Sequence, residues 1–89
     1  MPKVWNIHDP ACPDAAVYCG RGSPFGNSFR IGAWWSAQGR AMTRDDVCDR
    51  FEAEELPAMD VSALRGQDLK CFCKPRRCHC DAILRKANA

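Results

Sequence analysis

The chain has 89 residues, 13 of them basic and 11 acidic, which gives a formal net charge of +2. This length suits one small domain over residues 1–89, and a charge so near neutral neither requires nor excludes a nucleic-acid partner. The sequence contains no signal-peptide or membrane-spanning segment, which predicts a cytoplasmic protein with reduced thiols and no membrane partner. Under reducing conditions, seven cysteines indicate metal binding or thiol chemistry more than a disulfide scaffold.

The first half of the chain predicts short strands separated by turns. Residues 3–7 and 16–19 are short runs of residues that favour β-structure. Residues 29–35, FRIGAWW, fit either a third strand or a buried turn, and the pattern does not decide between them.

The second half predicts two main helices around a last strand. Residues 43–56 form the clearest helical segment, with Thr43 as N-cap and a proline after its end. Residues 60–65 favour a short second helix. The alternation over residues 69–73 predicts a strand, and the pattern becomes helical from residue 77 onward.

A glycine-rich segment, GRGSPFGN over residues 20–27, follows the second predicted strand. A strand followed by such a loop is one way to surround a phosphate with backbone amides. Arg21 would hold the anion, and Ser23 and Asn27 would offer hydrogen bonds to the ligand. The segment lacks the lysine of a P-loop and the spacing of a dinucleotide fingerprint. A tight surface turn with a solvated arginine explains the same residues, so both interpretations stay open.

Residues 71–80, CFCKPRRCHC, place four cysteines and a histidine between the last predicted strand and the last helix. Thiolate and imidazole are the ligands that zinc prefers, and four of them would close a structural site. The spacing differs from the paired C-x2-C knuckles of common zinc modules. The pattern makes zinc the candidate cofactor. The favoured ligands are Cys73, Cys78 and His79, with Cys71 or Cys80 as the fourth.

The same segment also fits thiol chemistry. A thiolate in the first turn of the last helix would be stabilised by unpaired amides, by the helix dipole and by two neighbouring arginines. In that interpretation either Cys78 with His79 or Cys73 with Cys78 carries nucleophilic or redox chemistry. The candidate catalytic residues are Cys78, His79 and Asp81. A C-x5-R string from Cys71 to Arg77 is similar to a phosphatase cradle, although a proline inside the loop removes one of its amides.

Burial alone explains part of the cysteine pattern. Cysteine is among the residue types most often found in protein cores. The alternation of Leu69, Cys71 and Cys73 fits a core strand, and Cys48 and Cys80 fall on apolar helix faces.

Two segments, YCGRGSPFGNSF and LRGQDLKCFCKPRRCHCDAIL, together resemble a family of small proteins of bacteriophages and bacteria with no assigned function. Its members carry GR-x-S-x-[W/F]-GNPF and, near the C-terminus, LRGK-x-L-x-C-W-C-x-P-x-x-CHGD. The resemblance extends from residue 3 to about residue 88. The matching positions are Gly20, Arg21, Ser23, Gly26, Asn27, Phe29, Leu64, Arg65, Gly66, Leu69, Cys71, Cys73, Pro75, Cys78, His79 and Asp81.

The resemblance implies an α/β domain in which the two signature segments meet, with Arg21 and Asn27 facing the start of the last helix. This chain departs from the family pattern at Ser28, which replaces a proline, and at Cys80, which replaces a glycine. Cys12, Cys19 and Cys48 also lie outside the pattern. If the family residues bind zinc, the resemblance leaves one ligand set: Cys71, Cys73, Cys78 and His79.

These features predict a small α/β domain with a short mixed sheet, two or three flanking helices and a C-terminal strand–loop–helix. We expect a polar pocket for a phosphate-bearing ligand, either a nucleotide or a nucleic-acid end. The sequence leaves open whether the pocket catalyses a reaction.

Two alternatives differ in class from this expectation. One is a phage protein that binds and redirects a host protein, which an exposed Trp34 or Trp35 would favour. The other is a zinc-stabilised nucleic-acid-binding module, which a net charge of only +2 favours less.

Overall fold

A computed structural model describes residues 2–89 and confirms the α/β prediction. Within these residues, five short strands form two separate sheets, one parallel with three strands and one antiparallel with two. The strands are β1 (Val4–Asn6), β2 (Val17–Tyr18), β3 (Trp34–Trp35), β4 (Arg40–Ala41) and β5 (Leu69–Cys71). The antiparallel ribbon of β3 and β4 answers the question that residues 29–35 left open, because only the two tryptophans form a strand.

The parallel sheet has the order β1–β5–β2, so the last strand lies between the two first ones. Val4 and Val17 are both paired with Leu69, which is fully buried. Because all three strands run in one direction, the segments that follow β2 and β5 leave the sheet at the same edge. These are the glycine turn (residues 20–27) and the cysteine segment (residues 71–80).

The helix predicted over residues 43–56 is present, but its winding changes along its length. Helix α1 (Arg44–Arg50) starts after Thr43, whose hydroxyl accepts a hydrogen bond from the amide of Asp46. A wider π-helical turn, Phe51–Glu55, and a 3-10 turn, Leu56–Ala58, follow it without a break. Phe51 and Leu56 remain buried through this change.

The later helical predictions hold with small shifts in their bounds. The short helix predicted over residues 60–65 is a single 3-10 turn, Ser62–Leu64. Helix α2 (His79–Ala87) begins two residues later than predicted, because Cys78 has extended backbone angles and is its N-cap. No helix in the described part of the chain is long and apolar enough to span a membrane.

The buried side chains form two clusters. The larger one packs α2 and the helix after Arg50 against the parallel sheet, around Phe51, Leu69 and Ile83. The smaller one, Met42, Val47 and Cys48, lies beneath the β3–β4 ribbon. The site described below lies where both clusters reach the surface.

Candidate functional site

A cleft of about 610 Å³ opens at the edge of the sheet where β2 and β5 end. The glycine turn and the cysteine segment form two of its walls, and α1 forms a third. Its lining combines arginines with aromatic rings and thiols. The structure brings both segments that the sequence singled out to this one cavity, since Arg21, Asn27, Cys71, Cys73, Cys78 and His79 all line it.

His79 joins the start of α2 directly to the glycine turn. Its Nε2 lies 2.7 Å from the carbonyl oxygen of Cys19 and 3.1 Å from that of Phe25. A carbonyl can only accept a hydrogen bond, so Nε2 carries the proton and donates to both. In the neutral imidazole, Nδ1 therefore holds the lone pair, and it lies 3.7 Å from the Sγ of Cys78. The ring is buried and packs edge-on against Phe51, with centroids 4.9 Å apart.

Four arginines line the cleft, and among the described residues no aspartate or glutamate does. The charge of Arg77 is balanced, because it pairs with Asp49 at 2.7 Å and with Asp45 at 3.0 Å, and these contacts, Asp49 first, raise its pKa. Arg21 and Arg30 form no ion pair or side-chain hydrogen bond with any residue from 2 to 89. The fourth, Arg44, donates one hydrogen bond to a backbone carbonyl. The cleft therefore carries a net positive charge that the protein does not balance locally.

Ser23 and Asn27 use their side chains inside the glycine turn. The Ser23 hydroxyl donates to the carbonyl of Gly20 at 2.7 Å, and this residue does not line the cleft. The Asn27 amide donates to the carbonyl of Val47 at 2.9 Å, and its oxygen accepts the amide of Phe29 at 2.9 Å. Ser23 shapes the turn from within, and Asn27 connects it to α1. Of the three predicted ligand contacts, Arg21 alone therefore has an uncommitted side chain.

The cysteine segment forms a cluster of buried ligand atoms. The Sγ atoms of Cys71 and Cys78 are 3.0 Å apart, and Cys73 completes a group whose ligand atoms lie within 4.8 Å of one another. Cys78, His79 and Cys80 form a second group that shares Cys78 with the first. Cysteine thiolates and histidine nitrogens at these separations could hold a metal ion.

Hydrogen bonds between the thiols lower the pKa of the acceptor and raise the pKa values of the donors. Donation from Cys78, and then from Cys80, lowers the pKa of Cys71. The pKa of Cys78 is raised because it donates to Cys71, and that of Cys80 is raised chiefly because it donates to Cys19. Burial raises the pKa of Cys48, which lines the cleft from α1. These hydrogen bonds thus favour the thiolate of Cys71, on the last sheet strand, over those of Cys78 and Cys80.

Asp81 is separated from the cleft. Its carboxylate accepts the amide of Cys78 at 3.3 Å and pairs with Lys74 at 2.7 Å, which stabilises the first turn of α2. Of the three residues predicted to be catalytic, Cys78 and His79 line the cleft and Asp81 supports the helix beneath them.

Residues 6–89 match the model of the domain of unknown function DUF4326. The chain belongs to this family. No curated protein and no solved structure matches it.

Two positions where this DUF4326 chain departs from the signature have local explanations. Ser28 donates both its amide and its hydroxyl to the carboxylate of Glu55, at 3.0 and 2.6 Å, and a proline could donate neither bond. Cys80 is fully buried among the other thiols. Of the cysteines outside the signature, Cys19 reaches the cluster and Cys12 does not.

Sequence reasoning missed part of the cleft. Arg30 directly follows the first signature segment and Arg44 lies at the start of α1, and no local pattern marks either of them as a neighbour of Arg21 in the cleft. Tyr18 and Phe72 also line the cavity, with ring centroids 5.9 Å apart in an edge-on arrangement. The alternation of β5 would have shown that Phe72 points away from the buried cysteines, which is the one signal available.

Proposed function

We propose that the cleft of this DUF4326 domain binds a small phosphate-bearing ligand with a flat apolar part, and a nucleotide is the ligand class that fits best. The observation that carries the proposal is the set of arginines at the cavity. Arg21 and Arg30 have no carboxylate partner in residues 2–89, and Arg44 adds a third positive charge. Guanidinium groups form paired, charge-assisted hydrogen bonds to phosphate, so unpaired arginines in a cleft favour this anion.

The aromatic side chains of the cleft explain why the ligand would be a nucleotide rather than a free phosphate. Phe72 keeps 58% of its surface exposed at the cavity although it is apolar, and Tyr18 stands edge-on beside it. An exposed ring next to positive charge can stack a base while the arginines hold its phosphates. A net charge of only +2 makes this a local feature of the cleft rather than of the whole surface.

Calorimetric titration with a panel of nucleotides tests the proposal, with ADP as the first probe. We expect Arg21→Ala to weaken ADP binding about tenfold or more, because a hydrogen bond to a charged group contributes about 1.5–3 kcal/mol. Arg65→Ala is the matched control, since Arg65 is exposed and does not line the cleft. Absence of heat with every nucleotide, or equal affinity in the wild type and Arg21→Ala, would contradict the proposal.

Zinc is the ion we assign to the cysteine cluster. Cys71, Cys73 and Cys78 form one group of three thiols, and the imidazole of His79 lies beside Cys78 as a fourth donor. Thiolates and imidazole are soft donors that suit zinc better than magnesium or calcium. A domain of this size also gains stability from a structural metal. Elemental analysis of protein purified without chelator, with a free-thiol count on the same sample, should give about one zinc per chain; fewer than about 0.1 would remove the assignment.

A binding protein for a host partner is the second candidate function, and the exposure of Trp34 is the observation that favours it. Trp34 keeps 68% of its surface exposed on the β3–β4 ribbon, whereas Trp35 packs against the smaller buried cluster. Exposed tryptophans are frequent anchors of protein interfaces. Recovery of one stoichiometric protein by the wild type and not by Trp34→Ser, with ADP binding absent from both, would select this candidate.

A further inference from the structure

The two ring nitrogens of His79 make different contacts in the site. Nδ1 lies 3.7 Å from the Sγ of Cys78, and Nε2 donates to two carbonyls of the glycine turn and lies 3.8 Å from the Sγ of Cys80. Those carbonyls belong to Cys19 and Phe25, which stand on either side of Arg21 in the chain. One buried ring thus connects the candidate metal centre to both ends of the segment that carries the anion-binding arginine.

We propose that a metal held by Cys71, Cys73 and Cys78 takes the Nδ1 of His79, which lies beside Cys78, as its fourth ligand, and that metal binding thereby orders the glycine turn. This inference rests on the proposed zinc site and deepens the proposed anion site. A ligating histidine commonly donates its second N–H to a carbonyl, which fixes the ring's tautomer and orientation. Here the relation also works in reverse, because a ring fixed by the metal presents a fixed donor to the turn.

The glycine turn depends on such a donor because its other bonds are mostly internal. Ser23 and Tyr18 both donate to carbonyls within or beside the turn, at 2.7 and 3.0 Å. Asn27 connects its far end to α1. In the described structure, His79 is the residue of the cysteine segment that holds the turn by hydrogen bonds at both ends. Coupling between the two sites is reciprocal, so an anion on Arg21 should also strengthen metal binding.

Glutamine at position 79 separates the two roles of the imidazole. Its amide nitrogen lies near the position of Nε2 and can donate to the same carbonyls, but it supplies no lone pair at the position of Nδ1. In His79→Gln the turn therefore keeps its hydrogen bonds and loses its connection to the metal. If His79 had only a structural role, zinc would affect the glycine turn in His79→Gln as it does in the wild type.

Amide hydrogen exchange of residues 20–26, with and without one equivalent of zinc, is the test. We expect zinc to slow exchange in the wild-type turn by about fivefold or more, the usual scale of coupling between two sites, and to have no such effect in His79→Gln. The loop at residues 36–39, at the far end of the ribbon, is the internal control. Cys12→Ser is the control variant, because Cys12 lies outside the cluster and should keep the wild-type response.

Equal protection of the turn in the zinc-loaded wild type and in zinc-loaded His79→Gln would overturn the inference, and this comparison holds even if the metal-free chain unfolds. Unchanged zinc affinity in His79→Gln, measured by competition with a chelator, would also overturn it. ADP titration on the same samples separates the two proposals. Slower exchange with zinc but no ADP binding would leave the coupling standing and remove the nucleotide proposal.

Discussion

The seven cysteines of this chain differ in burial and in their neighbours, which the sequence alone does not show. Cys73 is partly exposed at the cleft, next to Cys71 and Cys78. Cys80 is fully buried and donates toward Cys19 and Cys71. Its neighbours Ile83 and Ala87 on α2 are core residues, so Cys80 belongs to the apolar face of the helix as much as to the cluster.

These environments predict that two cysteine substitutions differ in their effect on metal content. Cys73→Ser should lower bound zinc to a small fraction of the wild-type level, because a hydroxyl is a poor ligand for zinc. Cys80→Ala should keep its zinc and lose about 1 kcal/mol of stability, a typical cost for a substitution. Elemental analysis and urea unfolding of both variants give the two quantities. Zinc loss in Cys80→Ala together with zinc retention in Cys73→Ser would contradict this prediction and show that Cys80, not Cys73, is a ligand.

At the scale of elements, the start of α1 is fixed by a carboxylate with several partners. Asp46 accepts the amide of Thr43 at 2.8 Å and forms a paired ion bridge with Arg40. These contacts, the arginine first, hold the pKa of Asp46 below its ordinary value of 3.8. A carboxyl whose folded pKa is lowered stabilises the fold at pH values above 3.8, and this contribution is lost as the pH falls through the folded pKa.

Acid unfolding should therefore depend on Asp46. We expect the stability of the wild type to fall as the pH drops below about 4, and the fall to be smaller in Asp46→Asn, which has no charge to lose. Urea midpoints measured over a pH series compare the two chains. Asp14→Asn is the control, because Asp14 is exposed and makes no ion pair within residues 2–89. Parallel curves for the wild type and Asp46→Asn would contradict the assignment.

The element scale also shows why secondary structure was easier to predict than pairing. The alternation of Leu69 and Cys71 and the cap at Thr43 are local signals, and the strand and helix they predict are present. The π-helical turn after Arg50 has no local signal in the sequence. It lets Phe51 and Leu56 reach the same core, and that is a requirement of the tertiary structure. No local pattern predicts that β5 lies between β1 and β2. This strand order is favoured by tertiary packing, because it buries Leu69 between two neighbouring strands.

Across the whole molecule, stability depends chiefly on the larger of the two buried clusters. Phe51, Leu69 and Ile83 are its largest fully buried side chains outside the cysteines. A domain of 89 residues has a net stability of only about 5–13 kcal/mol by the usual scale per residue. A single core cavity can therefore remove much of it.

Substitution at Ile83 should show this dependence. Ile83→Val should cost about 0.5–1.5 kcal/mol, because it removes one buried methylene group and leaves a small cavity. Ile31→Val is the matched control at an exposed position, where we expect a change within about 0.5 kcal/mol. Chemical unfolding of the two variants measures both values. A smaller loss at Ile83 than at Ile31 would contradict the position of the core.

The sequence by itself determined the α/β class, the approximate bounds of its main elements and the two segments that carry chemistry. It could do so because caps, alternation and clustered cysteines act between residues close together in the chain. Tertiary structure alone decided that Arg30 and Arg44 join Arg21 at one cleft, that Asp81 stays outside it, and that His79 spans from thiols to turn. His79 lies 60 positions from Cys19, whose carbonyl it binds, and even Arg30, close to Arg21 in the chain, reaches the cleft only through the fold. Such placements depend on how the strands pair and on which face of each helix the core buries.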